Sequence, residues 1–152
     1  MNTLTSKENG LLNDLKGQEQ LCIDKYTKYA AEAKSSELSK LFSNMAETER
    51  EHLKTINEML SGGTPSMPQS IGNSNNDNTA AYSYASEEDR KNDAFLCTDM
   101  LTTEKHASSL YDVSVFEFSS PENRRTLNHI QAEEQQHGEQ LYSYMKNNNM
   151  YN

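Results

Sequence analysis

Apolar residues recur at helical spacing along the first part of the chain, at Leu38, Leu41, Phe42 and Met45 and then at Leu53, Ile56 and Leu60. Almost no turn chemistry interrupts Leu11 to Leu60 except at Ser35 and Ser36, so the pattern predicts two antiparallel helices. Ser36 is the expected N-cap of the second, with Glu37 placing negative charge in its first turn. From Ser61 to Ala85 the chain collects Gly62, Gly63, Pro65, Pro68, Gly72 and a tract of Asn and Ser. This is a linker, long for a compact domain, and its composition suggests mobility. Ser86, followed by Glu87, Glu88 and Asp89, caps a third helix expected to run to Phe118. Ser120-Pro121-Glu122 opens a fourth, with proline at the first helical position, where its missing N–H costs nothing. The Asn147 to Asn149 tract ends it.

The two halves superpose at an offset of 85 residues, which brings Tyr26 onto Tyr111, Ser35 onto Ser120 and Glu37 onto Glu122. Each half reads as a helical hairpin whose apolar stripe it cannot bury alone, so the economical packing sets hairpin against hairpin. The expected fold is all-α, a four-helix bundle of two antiparallel helical hairpins, 8–60 and 87–146, joined by a long crossover linker over 61–86. It forms a single domain over 1–152. Helices of roughly 25 residues are about 38 Å long, and a linker of this length can return the chain along them. Short loops within hairpins and one long crossover between them make the ferritin-like topology.

The same offset carries the candidate chemistry. Glu49-Arg50-Glu51-His52 and Glu134-Gln135-Gln136-His137 are two copies of Glu-x-x-His, and Glu19 and Glu104 each lie thirty residues upstream of the first glutamate. Residues three apart share a helix face, so each copy can aim a carboxylate and an imidazole at a common centre while a facing helix adds a third ligand. With sixteen glutamates and four histidines, roughly 0.4 such matches arise by chance; two in register, each with its upstream glutamate, mean more. The six residues Glu19, Glu49, His52, Glu104, Glu134 and His137 are the expected ligands of two divalent metal ions, iron or manganese. Four carboxylates offset the charge of the ions and bridge them, and one imidazole per ion leaves positions open. Tyr26 and Tyr111 follow Glu19 and Glu104 by seven residues on the same face, and read either as partners of a site carboxylate or water or as core tyrosines. His106 and His129 lack ligand-spaced partners and read as surface or satisfied histidines. Glu47, Glu51, Glu133 and Glu139 are expected to solvate the outer faces, and Cys22 to be a buried inert thiol.

Charge and composition narrow the class. A net charge of −9 and a pI near 4.9 argue against nucleic acid and anionic membranes as partners. No apolar run approaches a membrane span, the N-terminal ten residues carry no export signal, and two cysteines outside any paired motif suit a reducing interior. The tyrosines at 82, 84, 142, 144 and 151 read as packing residues or as contacts with other proteins.

Tyr111 to Tyr151, with Phe116-Glu117-Phe118, Ser120-Pro121-Glu122, Glu133-Glu134-Gln135-Gln136-His137 and Tyr144-Met145, resembles the coat F domain of spore coat proteins from endospore-forming bacteria. The first hairpin resembles a weaker copy. The chain apart from linker and ends also resembles the ferritin-like superfamily, including rubrerythrins, whose two glutamate plus Glu-x-x-His halves bind a di-iron centre. That pattern falls on the six residues already named. Two departures stand out: there is no rubredoxin-like module with paired Cys-x-x-Cys, and Ala107 occupies the place of a further rubrerythrin glutamate. The resemblance implies a spore coat component, made in the cytoplasm of a sporulating cell and structural or protective in the coat, with other coat proteins or further copies of itself as partners. The alternative it implies is a rubrerythrin-like or catalase-like oxidoreductase acting on peroxide or dioxygen.

Overall fold

The computed structural model describes residues 3–65 and 81–151, and among these it contains four helices and no strand. They are α1 (Ser6–Glu32), α2 (Ser36–Leu60), α3 (Glu87–Glu117) and α4 (Pro121–Asn147). Residues 66–80, with Pro68 and Gly72, lie outside the described residues, and with them the expectation of linker mobility.

Capping chemistry sets every start. Ser86 and Ser120 take extended backbone and accept from the N–H of Asp89 and Asn123, and Pro121 is the first residue of α4. One cap differs from the sequence expectation: Ser35, not Ser36, caps α2. Ser35 has φ −85° and ψ 130°, and its hydroxyl accepts from Leu38 N–H at 3.0 Å; Ser36 is already helical. At α1, Thr5 and Glu8 form a reciprocal capping box.

The helices form a four-helix bundle in which α1 packs against α2 and α3, and α4 against α3 and α2. Its apolar interior divides into two clusters. One is built on Tyr26, Phe42, Met45, Cys97, Met100 and Leu141, the other on Tyr111, Leu127, Ile130, Leu12, Leu15 and Ile56. Taken in that order, each residue of the first cluster matches its counterpart in the second at the offset of 85. The core is therefore two images of one cluster, with a polar layer between them.

The image extends to the helix ends. Asp93, fully buried at the start of α3, accepts from the N–H of Lys34 at 2.8 Å and of Ser35 at 2.9 Å in the α1–α2 connection. Its counterpart Glu8, near the start of α1, accepts from Ser119 N–H at 3.2 Å in the α3–α4 connection. Each half thus supplies the carboxylate that accepts from N–H groups of the other half's turn. Lys25 adds a tie from α1 to α3, donating to Asp99 at 3.0 Å and to Thr103 at 3.1 Å.

Candidate metal centre

Midway along the bundle each helix turns one glutamate inward: Glu19 from α1, Glu49 from α2, Glu104 from α3 and Glu134 from α4, none more than 2% exposed. His52 and His137, one turn beyond Glu49 and Glu134, are buried beside them. The six residues form two overlapping groups, Glu19, Glu49, His52 and Glu134, and Glu49, Glu104, Glu134 and His137. Within each, one ligand atom per residue lies within 4.8 Å of every other. Glu49 and Glu134 belong to both, the position of carboxylates able to bridge two ions.

Both imidazoles present Nδ1 to this layer. His52 Nδ1 lies 2.9 Å from Glu134 Oε1 and 3.2 Å from Glu49 Oε2. His137 Nδ1 lies 3.2 Å from Glu104 Oε1, and 2.9 Å from Glu49 Oε1 at ion-pair distance without hydrogen-bond alignment. The tyrosines cross between halves: Tyr26 donates to Glu104 Oε1 and Tyr111 to Glu19 Oε1, both at 2.5 Å.

The electrostatics without ions are adverse. Burial, together with the neighbouring Glu19 carboxylate, pushes Glu49 well above the ordinary glutamate range, and burial with Glu104 does the same to Glu134. Burial also opposes ionisation of Glu19 and Glu104, but hydrogen bonds from Glu49 and His52, and from Glu134 and His137, bring both below that range. Without ions, the layer therefore favours the protonated form of Glu49 and of Glu134. Burial disfavours His52 as a cation, yet four surrounding carboxylates, Glu133 foremost, raise it well above the ordinary histidine value.

The donor set fits a pair of divalent ions. Glu19 Oε2, Glu49 Oε1, Glu104 Oε2 and Glu134 Oε2 are each buried without a hydrogen-bond donor, a costly arrangement that cations would relieve. Four carboxylates and two imidazoles are donors that could hold divalent ions. When bound, such ions would supply Lewis acidity.

Glu133 departs from the expectation that it solvates an outer face. It is half-buried, its Oε1 lying 3.3 Å from His52 Nε2 and 2.9 Å from His129 Nε2. With Nδ1 facing the layer and Nε2 held by Glu133, the imidazole of His52 is fixed from both sides. His129 Nε2 lies at ion-pair distance from Glu133 without hydrogen-bond alignment. Position 133 corresponds to Thr48 in the first half, so His137 has no matching carboxylate there. Helical spacing alone gave no sign of this, because the contact spans α2 and α4. Glu47, Glu51, Glu139 and His106 are exposed, as their spacing predicts. Cys22 is buried, and burial followed by the surrounding carboxylates pushes its thiol far up, consistent with an inert group.

The half of the chain that carries Glu104, Glu134 and His137 also carries a family signature. Residues 92–152 match the Coat F domain. The Coat F match covers most of α3 and all of α4, and supports the resemblance of this half to spore coat proteins. No curated protein and no solved structure matches the chain. None of the described helices is long and apolar enough to cross a membrane.

Proposed function

We propose that this chain is a spore coat component of the coat F type that holds two divalent metal ions, iron or manganese, inside a ferritin-like bundle of two antiparallel hairpins. Its role there is structural or protective. The observation that carries the metal reading is the pair of overlapping ligand groups sharing Glu49 and Glu134, with four buried carboxylate oxygens lacking donors. The coat reading rests on the Coat F match over 92–152. The reciprocal bonds of Tyr26 to Glu104 and Tyr111 to Glu19 support a layer whose halves form one unit. Glu19, Glu49 and His52 would serve one ion, and Glu104, Glu134 and His137 the other. Exposed Phe95, Val113 and Phe116 on α3, with Tyr142 and Tyr151, offer surface for other coat proteins or further copies of this chain.

The second reading, a rubrerythrin-like or catalase-like oxidoreductase, is favoured by the completeness of the ligand set in both halves. A reductive peroxidase cycle would draw its electrons from a separate donor, because this sequence carries no Cys-x-x-Cys.

Elemental analysis of the purified protein beside a Glu49→Ala, His52→Ala variant tests the reading. Two equivalents of iron or manganese are expected in the parent, much reduced in the variant, with a fall in the parent's melting temperature on chelation. A parent that refuses loading and melts as the variant does would leave the coat assignment alone standing. Peroxide turnover by the loaded parent would favour the oxidoreductase.

A further inference from the structure

The two halves are images in their cores but not in how they cover the centre. Between α3 and α4 lies a groove of about 490 Å³ whose lining includes Glu104 and Glu134. Ser108, Gln135 and Gly138 line its walls. At the corresponding places in the first half stand Ile23, Arg50 and Leu53: Ile23 is buried, and Arg50 bridges α2 to α1 by donating to Thr27 Oγ1 at 3.3 Å. Where the first half carries two branched apolar side chains and a guanidinium, the second carries a hydroxyl, an amide and a glycine.

Gly138 is the telling residue. It sits inside α4, where glycine weakens a helix relative to alanine. No close approach demands it, because an added Cβ would meet only Leu101 Cδ1 at 3.8 Å. What glycine provides there is room at the wall of the groove. The charge of the groove also has a direction. Two carboxylates, Glu104 and Asp112, stand against one ammonium, Lys105, beside Glu134, whose buried acid a cation would help to ionise, so the lining favours cations.

We propose that the α3–α4 groove is the port through which divalent cations reach the buried carboxylate layer, and that the first half is plugged at the equivalent place by Ile23, Arg50 and Leu53. The proposal rests on the metal-centre reading and adds the side from which the centre is served. A cation arriving there meets Glu104 and Glu134 first, and the small polar walls let it keep part of its water shell until those carboxylates replace it.

The test transplants the plug. Chelated parent and a Gln135→Arg, Gly138→Leu variant are mixed with cobalt(II), and uptake is followed by visible absorption alongside equilibrium stoichiometry. Both are expected to take up two equivalents, the variant about tenfold more slowly or worse, a barrier near one decade in rate. Equal rates for parent and plugged variant at equal stoichiometry overturn the port and leave the centre intact. No uptake by the parent overturns both. If the plugged variant fails to fold, Gly138→Cys blocked with a bulky thiol-directed disulfide reagent replaces it, the native cysteines being buried. Uptake that slows on blocking and recovers on reduction supports the port, and uptake indifferent to blocking overturns it.

Discussion

Replacing Glu49 by glutamine separates what the buried carboxylates do for metal binding from what they cost the fold. In the metal-free protein Glu49 is pushed above its ordinary value of 4.5 by burial and by Glu19. Below that value folded and unfolded chains both hold the proton, and the contribution of the group to stability is complete. As pH rises the unfolded chain ionises first, so each pH unit removes at most about 1.4 kcal/mol until the folded group ionises too. Glutamine has nearly the shape of the protonated acid, keeps an N–H donor toward Glu19 and never ionises. Two pH units above the ordinary value, the chelated Glu49→Gln protein is therefore expected to be more stable than the chelated parent by as much as about 2.7 kcal/mol. That is a large share of the roughly 5–15 kcal/mol that holds a domain of this size together. The same substitution removes one of the two shared carboxylates and should weaken metal loading. Urea denaturation of both chelated proteins, followed by circular dichroism from about pH 5 to about pH 7, reads the slope. A variant less stable than the parent throughout, or a difference that does not change with pH, would refute the buried protonated pair.

Two further outcomes follow from the contacts around the layer. Glu133→Gln should weaken metal affinity by about 10–100-fold by loosening His52, measured by competition with a chelator of known affinity, while the corresponding Thr48→Ala should change it little. Asp93→Ala strips the acceptor from the N–H groups of Lys34 and Ser35 and from the Tyr84 hydroxyl. It should cost about 3 kcal/mol in a denaturation experiment, and a loss under about 0.5 kcal/mol would show that the turn does not depend on it.

The positions of the helices and the identity of the inward residues were legible because each depends on local pattern. Ser86 and Ser120-Pro121 sit where capping geometry requires them, and the three-residue step from Glu49 to His52 puts both on one face whatever lies opposite. The offset of 85 supplied what a local pattern cannot, namely which residues of distant segments are equivalent, and the two images of the core follow it. Contacts that depend on the neighbouring helix were not legible. Glu133 is one residue from Glu134, and whether it meets water or His52 is decided by where α2 lies. The exchange of carboxylate caps through Glu8 and Asp93 likewise joins residues of opposite halves at helix ends, where no periodicity operates. Gly138 reads in sequence only as a weak point of a helix; its meaning comes from comparison with Leu53 across the bundle.

The most direct measurement is anomalous diffraction from crystals of the protein grown with iron or manganese, collected on both sides of the metal's absorption edge. The account predicts two peaks in the polar layer between the apolar clusters, both touching Glu49 and Glu134, one beside His52 Nδ1 and the other beside His137 Nδ1. A layer without anomalous signal in metal-replete crystals, or ions held only at the acidic surface, would contradict it.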